Sequence, residues 1–155
     1  MKILTSIIIP VFNEEKTIKL ILDKVLEQKE YNKEIIVIDD CSTDKTKFLI
    51  ENDYADKVKL ISNNKNYGKG YCIRKGIEIA NGDITLIQDA DLEYDPTDYK
   101  KILTPLLDGR ADVVFGSRFL GDGEKRVLYF WHRVGNFILT LLSNSLSNLN
   151  LTDME

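Results

Sequence analysis

The feature that most constrains this chain is an alternation beginning at its fifth residue: short runs rich in Ile and Val separated by amphipathic stretches. The apolar runs at residues 5–12, 34–39, 58–62, 84–89 and 112–116 read as buried strands, most of them ending in polar residues or Gly. Helical spacing runs over residues 15–28, 44–52, 70–80 and 96–107. Asn13 or Glu14 is placed to open the first helix, and Ser42 or Thr43 to cap the second. Asn81-Gly82 closes the third with a pair suited to a left-handed backbone. Strands and helices in alternation imply an α/β fold, a mostly parallel central sheet with helices on both faces. On such sheets ligands sit beyond the carboxyl ends of the strands, so the polar residues after each run are the place to look for a site. At 155 residues the chain is one domain long, with neither repeat nor linker.

A net charge of -4 argues against a nucleic-acid partner, which calls for a basic stripe. It is compatible with an anionic ligand if a divalent cation neutralises carboxylates and phosphates together. Cys41 and Cys72 have no metal-ligand spacing, and two isolated thiols point to a reducing, cytoplasmic setting. Ile7-Ile8-Ile9 is followed by Pro10, Asn13, Glu14 and Glu15 without a cleavage site, which is not a signal peptide. His132 and Arg133 interrupt the one stretch that approaches a membrane span. The segment 125–149 puts Val127, Phe130, Trp131, Val134, Phe137, Ile138, Leu141 and Leu142 at helical spacing, with polar residues mainly opposite. The final residues Thr152-Asp153-Met154-Glu155 read as a cut, so the domain at 1–155 is expected to be truncated at its C-terminal end.

Candidate chemistry centres on Gln88-Asp89-Ala90-Asp91. Asp89 and Asp91 end an apolar strand, and side chains two residues apart there point the same way. Convergent carboxylates suit Mg²⁺ or Mn²⁺, which take oxygen ligands and leave positions for substrate phosphates. Asp-x-Asp alone is common in solvated turns; its place directly after a buried strand is what singles it out. A calcium loop is excluded, because Tyr94 stands where Gly is required and Lys100 where the bidentate Glu belongs. The first strand runs into Pro10-Val11-Phe12-Asn13-Glu14-Glu15, which lacks the Gly of a phosphate loop. The second ends in Asp39-Asp40-Cys41-Ser42-Thr43-Asp44, where one acid serves the helix start and the other is free for a ribose or base. Asn66-Tyr67-Gly68-Lys69-Gly70 is a tight turn entering a helix, and Gly116-Ser117-Arg118 brings a guanidinium to the ligand edge. His132, the single histidine, reads as structural.

Taken in order, Ile9-Pro10-Val11-Phe12-Asn13-Glu14, Val37-Ile38-Asp39-Asp40-Cys41-Ser42-Thr43-Asp44, Asn66-Tyr67-Gly68-Lys69-Gly70, Asp89-Ala90-Asp91 and Gly116-Ser117-Arg118 resemble the family-two glycosyltransferases of the A-type fold. The stretches around Asp89–Pro96 and Arg118-Phe119 are similar to the polyprenyl-phosphate (dolichyl or undecaprenyl) sugar transferase branch. The resemblance implies that Pro10, Phe12, Glu14 and Asp40 line a nucleoside pocket, with Asp39 near it. It implies that Asp89, Ala90 and Asp91 meet the diphosphate, that Asp89 and Asp91 hold Mg²⁺ or Mn²⁺ with help from Glu93, and that Arg118 contacts the donor. Phe12 replaces the common Tyr, which keeps stacking and loses a hydroxyl contact. Cys41 replaces the common Gly, which removes the reason to expect a positive φ there.

The activity so implied is inverting transfer from a UDP- or GDP-sugar, with a polyprenyl phosphate as the acceptor and peripheral contact at the inner face of a membrane. Asp91 is the central acid of that chemistry, and Asp153 is the candidate base if the acceptor is a hydroxyl. A phosphate acceptor is already anionic near neutral pH and needs none. The competing readings are a sugar nucleotidyltransferase, which would open with a Gly-rich loop after its first strand, and a truncated module that binds nucleotide sugars without turnover.

Overall fold

A computed structural model describes residues 3–116, 130–148 and 151. Its order is β1 (Leu4–Val11), α1 (Ile18–Glu27), β2 (Asn32–Asp39), α2 (Thr46–Asp53), β3 (Lys59–Ser62), α3 (Lys69–Ile79), β4 (Ile84–Ile87), a 3-10 turn (Pro96–Asp98), α4 (Tyr99–Leu107) and α5 (Phe130–Ser147). The sheet has the order β3-β2-β1-β4, and every pairing is parallel. This is the expected α/β architecture.

The period of two along β1 and β2 divides the core between the sheet's faces. Ile7, Ile9, Val11, Ile35 and Val37 pack with α1, α2 and α4 through Ile18, Leu22, Ile50 and Leu103. Ile36 and Ile38 face the other way and meet Cys72 of α3. Ile8 lies on that face too, where a Cβ at Gly76 would fall 2.4 Å from its Cγ2, so the glycine lets α3 lie close to the sheet. On α1 the spacing of Ile18, Ile21, Leu22 and Val25 forms one fully buried stripe. Each such side chain contributes about 1.5–3 kcal/mol.

Three local expectations are corrected. The first helix opens at Ile18, not near residue 15; residues 15–17 form a turn before it, in which the Glu14 carbonyl accepts from both Thr17 N and Ile18 N. Asn81-Gly82 does not supply a left-handed cap; Gly82 has ordinary φ, and its role is proximity, since a Cβ there would lie 2.6 Å from Ser6 N. The expected strand over residues 112–116 is irregular, with Val113 and Phe115 exposed at 66% and 61%. β4, only four residues long, is an outer strand of the sheet, like β3, and has no second partner among the described residues.

The amphipathic helix is present as α5. Asn136 and Thr140 are buried and bonded to each other at 3.2 Å, while Phe137, Leu141, Leu142 and Leu146 are exposed.

Candidate active site

All four strands end on one edge of the sheet, and the loops there are tied to each other side chain by side chain. Asn13 adopts φ +57, which Asn tolerates better than most residues. Its Oδ1 accepts from Thr43 N at 2.8 Å, and its own N donates to Ser42 Oγ at 3.0 Å. Glu14 N donates to Thr46 Oγ1 at 2.8 Å, and Glu15 N to Asp44 Oδ2 at 3.1 Å. Ser42 is thus consumed in fixing the β1–α1 loop, and the start of α2 is served instead by Asp44, whose Oδ1 accepts from Thr46 N at 2.9 Å. Cys41 adopts φ +66, the conformation that the loss of Gly gave no reason to expect. The loop's bonds hold it there at a cost of about 1 kcal/mol or more.

A cleft opens between these loops and the end of β4. It is lined by Pro10, Val11, Phe12, Glu14, Asp40, Lys69, Cys72, Asp89, Ala90 and Asp91. Sheet pairing between β1 and β4 ends at Ile8–Ile87, with one more bond from Gln88 N to Ile8 O. Beyond it the chains part, and Pro10, which has no N–H to offer β4, stands where they separate. That separation makes the cleft.

Asp40 is 3% exposed and fully engaged. Its carboxylate accepts from Asn63 Nδ2 at 2.8 Å, from Tyr67 N at 3.0 Å and from Gly68 N at 2.7 Å. Burial alone would raise its pKa, but hydrogen bonds from Tyr67, Asn63 and Gly68 outweigh this and hold it below the usual carboxylate range. The bonds also fix the turn at Gly68, whose φ of +88 needs a glycine, and from which α3 starts. Asp39 is 1% exposed, accepts from Ser42 N at 3.2 Å and does not line the cleft.

The Asp89–Asp91 loop is pinned by a residue that the motif reading gave no role. Gln88 is buried, and its Nε2 donates to the carbonyls of Asp89 and Tyr94, both at 3.0 Å. Its Oε1 accepts from the Tyr99 hydroxyl at 2.9 Å. The sequence signal was a polar side chain closing an apolar strand. Within the loop, Asp91 Oδ1 accepts from Glu93 N at 3.0 Å, and Leu92 takes the left-handed φ of +68.

Asp89 and Asp91 both line the cleft; Glu93 does not. Among the described residues no group of three or more His, Cys, Asp or Glu side chains is arranged for a metal. The pair still fits a divalent cation. Both acids offer hard oxygen donors, and Mg²⁺ is commonly held by one or two carboxylates plus substrate phosphates. Asp89 already attracts a cation, for the Lys69 ammonium lies 2.7 Å from its Oδ1. Lys69 is the second site residue to which the sequence reading assigned no role. Arg118 and Asp153 lie outside the described residues, as does the His132 side chain.

The family model described as glycosyl transferase family 2 matches residues 6–152. The chain is 36% identical over 117 residues to an undecaprenyl-phosphate 4-deoxy-4-formamido-L-arabinose transferase of Aeromonas hydrophila, covering 72% of this chain and 36% of that one. It is 30% identical over 134 residues to a dolichol-phosphate mannosyltransferase of Pyrococcus furiosus, covering 83% and 37%. Among solved structures, a mannosyltransferase from Pyrobaculum calidifontis in complex with GDP-Man and Mn²⁺ superposes with a TM-score of 0.56 at 27% identity, over 63% of this chain and 30% of that one. The chain therefore spans little more than a third of the length of these two sequence relatives, and the fold is that of the A-type glycosyltransferases. With its match running almost end to end, this chain belongs to glycosyl transferase family 2.

Proposed function

We propose that the chain is the donor-binding part of an inverting, Mg²⁺- or Mn²⁺-dependent transferase that moves a sugar from a UDP- or GDP-sugar to a polyprenyl phosphate at the cytoplasmic face of a membrane. The observation that carries this reading is that Asp89 and Asp91 share one cleft with Pro10, Phe12, Glu14 and Lys69. At about 190 Å³ among the described residues it is smaller than the roughly 300–1,000 Å³ typical of ligand pockets. The Pyrobaculum neighbour, solved in complex with GDP-Man and Mn²⁺, supports a nucleotide sugar and a divalent ion. The two sequence relatives, named for undecaprenyl and dolichol phosphates, support the acceptor.

Phe12, 43% exposed at the rim, offers a ring face for a base to stack on. Asp89 and Asp91 would hold the cation, which when bound stabilises negative charge on the departing diphosphate. Lys69 adds a positive charge on the same wall. In the reaction an acceptor phosphate oxygen bonds to the anomeric carbon as the bond from that carbon to the diphosphate oxygen breaks. The nucleoside diphosphate leaves with the electron pair. No side chain need remove a proton, since the acceptor is already ionised near neutral pH.

The exposed face of α5 supports membrane apposition. Phe137, Leu141, Leu142 and Leu146 point outward, and such a face binds at a headgroup boundary. No helix among the described residues is long and apolar enough to cross a membrane.

The test is a transfer assay on a version extended to the length of its relatives, with UDP- and GDP-sugars and a short-chain prenyl phosphate. Expected products are a prenyl-phosphate sugar and a nucleoside diphosphate, in a reaction abolished by chelator. Release of pyrophosphate would instead establish a nucleotidyltransferase. Transfer only to a sugar hydroxyl would overturn the acceptor and make Asp153 the candidate base.

A further inference from the structure

We propose that Lys69 is a built-in counter-cation for Asp89 that makes binding of the divalent metal and of the nucleoside diphosphate depend on each other; this rests on the proposed donor site. The first observation is contact: the Lys69 ammonium is 2.7 Å from Asp89 Oδ1, and both residues line the cleft. The second is placement. Lys69 is the first residue of α3, an eleven-residue helix with no acidic residue in its first turn. A helix N-terminus carries partial positive charge, so a cation there is unfavourable unless an anion receives it. Within the free protein that anion is Asp89.

The third observation is mechanical. Asp40 clamps the backbone N–H groups of Tyr67 and Gly68, so the point from which Lys69 projects is fixed. Gly76 lets α3 lie directly against Ile8 of the sheet. The Lys69 side chain itself is 59% exposed on a flexible four-carbon stem, so the ammonium can change partner while its Cα stays put.

Two consequences follow. A divalent cation entering alone must displace the ammonium from Asp89, which weakens its binding. A diphosphate entering alone meets carboxylates, and Lys69 can turn to it only by leaving Asp89 uncompensated. When both arrive, the metal takes Asp89 and the ammonium takes phosphate oxygens, so neither charge is left without a partner. The two ligands therefore bind with positive coupling, and Lys69 is one source of it.

The experiment measures Mn²⁺ affinity of the full chain by electron paramagnetic resonance of the free ion, with and without UDP or GDP, for the parent, Lys69→Met and Lys69→Arg. Without nucleotide, Lys69→Met should bind Mn²⁺ about two- to fivefold more tightly, the range set by a half-exposed ion pair. The factor by which the nucleoside diphosphate strengthens Mn²⁺ binding should shrink in Lys69→Met, and Lys69→Arg should keep the parent's pattern. Matching thermal unfolding of the free proteins shows that all three are folded. Nucleotide-free Mn²⁺ affinity that is unchanged or lower in Lys69→Met overturns the role of Lys69. If Mn²⁺ and nucleotide bind together with the same coupling in all three, only this inference falls. If none of the three binds Mn²⁺ or nucleotide, the donor-site reading falls and takes this one with it.

Discussion

The hydroxyl of Tyr99 donates to Gln88 Oε1 at 2.9 Å inside the core, and through that bond α4 orients the side chain that holds the Asp89–Asp91 loop. Tyr99 is 3% exposed, and burial raises its pKa above the ordinary phenol value, so the hydroxyl stays a donor. Tyr99→Phe leaves one buried acceptor without its partner, an expected loss of about 1–3 kcal/mol in urea unfolding. Gln88→Leu removes the bonds to two carbonyls and should cost more. The reverse order would mean that the loop is held by something other than Gln88.

Asp40 should set part of the acid limb of stability. Its folded pKa lies below the unfolded value of about 3.9, so its contribution is fully present above that pH and is lost as pH falls through the folded pKa. Asp40→Asn keeps the shape but puts an amide before the N–H donors of Tyr67 and Gly68. At pH 7 it should be less stable by about 1–3 kcal/mol, and the gap to the parent should close as pH falls below about 4. Denaturant titrations from pH 7 to pH 2 give both values, and a gap independent of pH would show that charge is not what Asp40 supplies.

Cys41 provides a backbone test. At φ +66 a β-carbon is strained, and glycine is not. Cys41→Gly should be more stable than Cys41→Ala by about 1 kcal/mol, the scale of left-handed strain. Ordinarily the order is the opposite, because glycine has more freedom to lose on folding. Thermal unfolding of the two variants decides it.

The parallel sheet was legible because buried β-strands announce themselves locally. The Ile and Val runs of β1 and β2 meet register partners along their whole length, so their pattern was sufficient. Residues 112–116 carry the same pattern of residue types, yet a strand also needs a partner edge, and that is not written in its own sequence. The candidate site was legible as a set of positions after strands: Pro10, Phe12, Glu14, Asp40, Asp89, Ala90 and Asp91 do converge on one cleft. Gln88 and Lys69 were missed because their importance lies in contacts with residues 11 and 20 positions away, Tyr99 and Asp89. Cys41 misled because side-chain preference argued one way while the bonds around Asn13 and Ser42 imposed the other.

Asp91 separates ligand chemistry from folding most cleanly. It is exposed, and its one described structural task is to accept the Glu93 N–H through Oδ1 at 3.0 Å. In Asp91→Asn the amide oxygen can still accept that bond, so the turn with Leu92 at φ +68 should persist. Free-protein stability should change by no more than about 0.5 kcal/mol, as for surface substitutions in general. What the variant lacks is half of the paired negative charge that a divalent cation needs alongside Asp89. Calorimetric titration with UDP and GDP in the presence of Mn²⁺ should therefore show loss of the metal-dependent part of the affinity, while any metal-independent binding remains. Equal affinity in variant and parent would place the cation elsewhere, and with it the diphosphate.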